Sequence, residues 1–106
     1  MVVVRGDARE LSIRMDGHAG VMHEGTDIGC VMCSTIIQTF ARYVEHEQHI
    51  RADVLELEEG HAYVKPRWQD GWWPEMSAAW TLCMDGFRML EEAYPDHVHV
   101  IVSSEE

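Results

Sequence analysis

Positive charge is scarce in this chain of 106 residues: 8 Lys and Arg stand against 19 Asp and Glu, a formal net charge of −11. Such a surface repels phosphate backbones, so direct nucleic-acid binding is not expected, and a basic partner or substrate is favoured. Long apolar runs are missing too. No stretch approaches the roughly 20 residues needed to cross a bilayer. "MVVVRGD" turns to charge after three valines, which excludes it as the apolar core of a signal peptide. A cytoplasmic protein with no membrane role is expected. Cysteine is limited to three residues, which cannot all pair within one chain. Without a secretory signal the expected state is the reduced thiol. Internal repeats, low-complexity segments and interdomain linkers are absent.

Hydrophobic residues make up 46%, too many for a disordered chain and enough, at this length, for one domain with one core. Residues 1–5 form a short β-prone run, and Gly6-Asp7 reads as a turn. "ELSIRMD" alternates, with Leu11, Ile13 and Met15 on one face and Ser12, Arg14 and Asp16 on the other, as in a half-buried strand. The pattern is lost from Gly17 to Thr26, where Gly17, Gly20 and Gly25 predict a mobile loop. Asp27 reads as a helix N-cap. Beyond it Ile28, Val31, Thr35, Ile36, Thr39, Phe40 and Tyr43 recur at helical spacing, taking the helix to about His46–His49. "ADVLELEEGHAYVKP" reads as two strands joined at Glu59-Gly60, and "RWQDGWW" as a loop. Pro74 suits the first turn of a second helix, with Met76, Ala79, Trp80, Cys83, Phe87, Leu90 and Tyr94 as its apolar stripe and Pro95 as its stop. "HVHVIVS" closes the chain as a strand. The order ββαββαβ implies an α+β fold, a two-layer sandwich with two helices packed on one sheet.

The stretch "GHAGVMHEGTDIGCVMCS" carries the chemistry. With Asp27 as N-cap, Cys30 falls in the first helical turn, where free amides and the helix dipole are expected to lower a thiol's pKa. His18 stands where a strand gives way to the loop, able to fold back over that helix end. A Cys–His pair so placed suits a nucleophile with its general base. The nearby amides suit an oxyanion hole. Three other readings of the same residues compete. Cys30 and Cys33 form a Cys-x-x-Cys at a helix start, as in dithiol oxidoreductases, although the glycine-punctuated entry is not thioredoxin-like. Zinc held by Cys30, Cys33, His18 and His23 lacks a standard spacing for its second pair of ligands. The plain reading of Cys33, and the favoured one, is a small apolar residue on the helix.

Other candidates are weaker. His46 and His49 are spaced i, i+3, the wrong interval for a helical zinc-protease motif. His97 and His99 share a strand face and could hold a metal, but a packed or exposed face is the commoner outcome. Cys83 lies in an apolar stripe and reads as core. Trp68, Trp72, Trp73 and Trp80 could grip a hydrophobic peptide or form a subunit interface, with Trp80 more simply core.

At Gly17-His18 and Gly25-x-Asp27-Ile28-x-Cys30-x-x-x-Ser34 the chain closely resembles the ribosomal-processing cysteine protease (Prp) family. The element order, the length and the ending "MDGFRMLEEAYPDHVHV" extend the likeness over residues 1–106 as a single cysteine protease domain. The resemblance implies a bacterial, homodimeric cysteine endopeptidase, needing no cofactor or metal. It would remove the N-terminal extension of a large-subunit ribosomal protein beside a Phe-containing hydrophobic motif. By position, Cys30 would be the nucleophile and His18 the base. Asp27 would support the site or cap its helix, and Gly17 and Ser34 would be structural. Two positions depart from the family pattern. Gly29 stands where a β-branched residue is usual, and is expected to loosen the first helical turn and weaken the thiolate's surroundings. Cys33 stands where a small apolar residue is usual. The alternatives are a dithiol redox or thiol–metal protein using Cys30 and Cys33, and a catalytically silent ribosome-assembly binding module.

Overall fold

Alternating apolar residues build the sheet first. In the computed structural model, which describes residues 1–46, 51–68, 71 and 73–103, Val2–Asp7 (β1) and Ser12–Gly17 (β2) form an antiparallel hairpin. Ala52–Glu58 (β5) and His61–Pro66 (β6) form a second hairpin, whose β6 pairs with β2. Val98–Ser103 (β7) lies parallel to β1, giving the order β5-β6-β2-β1-β7. The register aligns Val4 with Met15 and Val100, and Ile13 with Val64, so one face is apolar across the central strands. On the opposite face Arg14 lies over the Tyr63 ring, and His61 is held between Asp16 (2.6 Å) and Glu56 (2.8 Å).

Two helices, Ile28–His46 (α1) and Trp73–Ala93 (α2), cover the apolar face and complete an α+β two-layer sandwich. Phe40 and Phe87, both fully buried, anchor the core between them and the sheet. Each such side chain contributes roughly 1.5–3 kcal/mol by leaving water. In α2 the stripe holds, with Met76, Trp80 and Phe87 buried and Cys83, Leu90 and Tyr94 packed at its edge; Met84 joins it. The Trp80 indole N–H donates to the Ser12 carbonyl, so its one polar atom is satisfied inside the core.

Three expectations shift. Gly6 and Asp7 lie within β1; the turn is residues 8–11, where Asp7 Oδ1 accepts from the Arg9 and Glu10 amides. A Cβ on Gly6 would stand 2.7 Å from Met84 Cε and 3.0 Å from the Trp80 ring, so the strand lies close beneath α2 there. In α1 the buried residues are Gly29, Cys33, Ile37, Phe40, Ala41 and Val44, while Val31, Thr35 and Thr39 face outward. Thr35 and Thr39 donate their hydroxyls to the carbonyls four residues back, so both are satisfied without packing. Between Gly17 and α1 a small hairpin forms from Met22–His23 (β3) and Thr26–Asp27 (β4). Glu24 and Gly25 both have positive φ, as a tight two-residue hairpin turn demands. Helix α1 reaches His46, the last described residue of that stretch, and His49, the Gln69-Asp70 pair and Trp72 lie outside the described residues.

Candidate active site

Asp27 organises the opening of α1. Its Oδ1 accepts the Cys30 amide at 3.1 Å, the geometry of an N-cap to the third helical residue. The same carboxylate accepts the Gly20 amide at 2.7 Å and the Val21 amide at 3.1 Å, so the cap also clamps the incoming loop. Burial opposes ionisation of Asp27, but the hydrogen bonds from Gly20, from the Cys30 thiol and amide, and from Val21 outweigh it. They hold its carboxyl down to about 2.

Cys30 and His18 meet where the loop crosses the helix end. Cys30 Sγ is 3.8 Å from His18 Nδ1, receives the Ala19 amide N–H at 3.3 Å, and donates to Asp27 Oδ2 at 3.1 Å. Against expectation the thiol is pushed above its ordinary 9.0, not below. Burial is the main cause, the Asp27 carboxylate adds to it, and the Ala19 and Gly20 amides pull only partly the other way. The helix end that should favour a thiolate is occupied by a carboxylate. Two first-turn amides are likewise committed, Ile28 N–H to the Val21 carbonyl and Cys30 N–H to Asp27, so neither is a free oxyanion donor.

The glycines decide how closely these pieces approach. Gly17 has φ +100, and a Cβ on it would lie 2.5 Å from the Met1 carbonyl oxygen. Its N–H donates to Gly60 O, which draws the β5–β6 turn against the end of β2. Gly60 then sits beside the imidazole, where an added Cβ would stand 3.0 Å from His18 Nε2. Gly29 does not loosen the helix as expected. It is buried, and a Cβ there would meet Ala19 Cβ at 2.6 Å, so its bareness lets the loop close on the first turn. Ser34 lies one turn beyond Cys30, half-buried.

The other sequence candidates do not converge here. Cys33 is fully buried, and burial first, then the charges of Cys30 and Asp27, pushes its thiol up to about 12, which suits core packing and not exchange chemistry. His23 points to Glu24 at 3.1 Å in solvent, away from the cysteines. His99 pairs with Glu91 at 3.4 Å, whereas His97 Nδ1 lies 2.9 Å from the Ala19 carbonyl, so the two share no metal position. Among the described residues no group of three His, Cys, Asp or Glu side chains is arranged to hold a metal. Trp68 and Trp73 meet with ring centroids 5.4 Å apart and planes tilted by 50°, away from the Cys30 cluster's contacts. Gly60 and His97 were missed as neighbours of the site; spacing along the chain carries no signal for either.

Known proteins share the sequence pattern and the fold of this chain. The family model for the cysteine protease Prp matches residues 1–99. No curated protein matches the chain. The ribosomal processing protease Prp from S. aureus, solved with a covalently linked product peptide, superposes with a TM-score of 0.79 at 19% identity, covering 96% of this chain and 99% of that one. Its complex with a substrate peptide gives 0.75 at 19% identity, with the same shares covered. SMU.848 from Streptococcus mutans gives 0.72 at 17% identity, covering 98% and 93%.

Proposed function

This chain belongs to the cysteine protease Prp family and is a cysteine protease, and from that premise we propose that it removes the N-terminal extension of a large-subunit ribosomal protein, with Cys30 as nucleophile and His18 as general base. One observation carries the proposal: the Cys30 thiol, the His18 imidazole and the Ala19 N–H converge on one point at a helix N-terminus. The similar S. aureus protein, a ribosomal processing protease, is seen with substrate and product peptides, which supports the substrate class. The acidic surface suits a basic ribosomal substrate.

In the resting site the thiol proton is held toward Asp27, so Cys30 starts neutral. His18 takes that proton as the sulfur attacks the scissile carbonyl, a transfer coupled to attack and not a preformed ion pair. The Ala19 N–H supports negative charge on sulfur as it forms. The C–N bond then breaks, His18 returns the proton to the departing amine, and water attacks the thioester to release the extension and the thiol. Asp27 holds the loop and caps the helix, and Gly17 lets β2 end against the chain's first residue. The enzyme works as a homodimer in the bacterial cytoplasm.

The test is incubation with a peptide spanning the N-terminal segment of the host's ribosomal protein, with products read by mass. Cleavage at one bond is expected. Cys30→Ser should lower it by at least about a hundredfold, since a hydroxyl ionises poorly, and His18→Ala should also suppress it, whereas His23→Ala should not. Wild-type cleavage by Cys30→Ser would overturn the assignment.

A further inference from the structure

The peptide group between Ala19 and Gly20 is gripped at both ends. Its N–H donates to Asp27 Oδ2 at 2.7 Å, and its carbonyl lies 2.9 Å from His97 Nδ1. A carbonyl can only accept, so His97 donates through Nδ1–H. The backbone of His97 is itself fixed. Its N–H donates to Tyr94 O and its carbonyl receives the Val2 N–H, both at 2.9 Å, which ties the residue to the end of α2 and the start of β1. Ala19 is almost fully buried, and its own N–H is the one aimed at Cys30 Sγ. The 18–19 and 19–20 peptides meet at the Ala19 Cα, so anchoring the second restrains the first, whose N–H faces the sulfur.

We propose that His97 is a positioning residue of this protease, acting through the Ala19 carbonyl to hold the His18–Gly20 segment over Cys30. Asp27 alone fixes only the amide side of the segment; His97 fixes the carbonyl side from the opposite end of the chain. The role needs a donor at the Nδ1 position and no proton transfer. Asparagine places its Nδ2 close to where histidine has Nδ1, whereas glutamine reaches the Nε2 position instead. That contrast separates a hydrogen-bonding role from simple packing.

The proposal rests on the protease reading, so its test has one arm that needs no substrate. His97→Ala, His97→Gln and His97→Asn are compared by peptide cleavage and by amide exchange at Ala19 and Gly20. His97→Ala and His97→Gln should lower kcat by about tenfold or more while KM stays within about threefold, and His97→Asn should return kcat to within about threefold of wild type. Exchange at Gly20 should quicken in the first two variants and not in the third. Unchanged kcat and exchange in His97→Ala, or equal loss in all three variants, would overturn the clamp. Should the wild-type protein cut no ribosomal peptide, the proposed substrate fails by itself, and exchange at Ala19 and Gly20 still decides whether His97 holds the loop.

Discussion

At the scale of single residues, the protonation state of Cys30 is set by its neighbours in space. Near neutral pH a thiol above 9.0 is ionised to below about one per cent. Alkylation of Cys30 by iodoacetamide in the free enzyme is therefore expected to climb about tenfold per unit between pH 7 and 8, without levelling off. A plateau near neutral pH would show a preformed thiolate instead. Cys33 is expected to be chemically idle, because its thiol is sealed in the core and held near 12. Cys33→Ala should leave cleavage within about threefold of wild type and cost on the order of 1 kcal/mol in stability. Loss of activity with the fold intact would return the redox reading to contention. The sequence made both thiols visible but could not rank them, since desolvation is a property of the packed state.

At the scale of elements, the contact between the loop and α1 is the critical joint. Gly29 provides it, with Ala19 Cβ and Val21 Cγ2 lying where a side chain would go. Gly29→Val should push residues 19–21 outward. The expected cost is about 1–3 kcal/mol from overpacking. Cleavage should fall about tenfold or more as the Ala19 amide leaves the sulfur, read by thermal unfolding and peptide turnover together. Unchanged melting and turnover would show that the loop closes differently. The helix itself was legible in its period and in its Asp27 cap. Its buried face was not, because apolar and small residues occupy most of its circumference and several phases fit them equally. Packing against Phe87 and the sheet selected the face bearing Cys33, Ile37 and Phe40.

For the whole molecule, stability should depend on pH through the clamp that joins β2, β5 and β6. His61 is raised above 6.5, first by its hydrogen bond to Asp16 and then by that to Glu56. Asp16 is lowered from 3.8, chiefly by the same bond to His61. A raised histidine stabilises the fold fully below its unfolded value and loses that contribution as pH climbs through the folded value. A lowered carboxyl contributes above its unfolded value and loses it as pH falls through the folded one. Both contributions are present between about pH 4 and 6.5. The melting temperature should therefore decline above pH 6.5 in the wild type and stay flatter in His61→Gln. Parallel profiles for the two proteins would rule the clamp out as the cause.

What the sequence by itself determined is local. A run of valines marks β1, alternation marks β2, a short β-prone run marks β7, the 3.6-residue period marks both helices, and a cap three residues before Cys30 marks where α1 begins. These signals need only neighbours within a few positions, as do the Gly17-His18 and Asp27-Ile28-x-Cys30 blocks that mark the family. Tertiary structure decided which groups surround the sulfur. It brought Gly60 against His18, set His97 on a carbonyl 78 residues away along the chain, and placed the Asp27 carboxylate at the thiol. A thiol's pKa and a loop's anchorage depend on distance and desolvation in space, and no period along the chain encodes either.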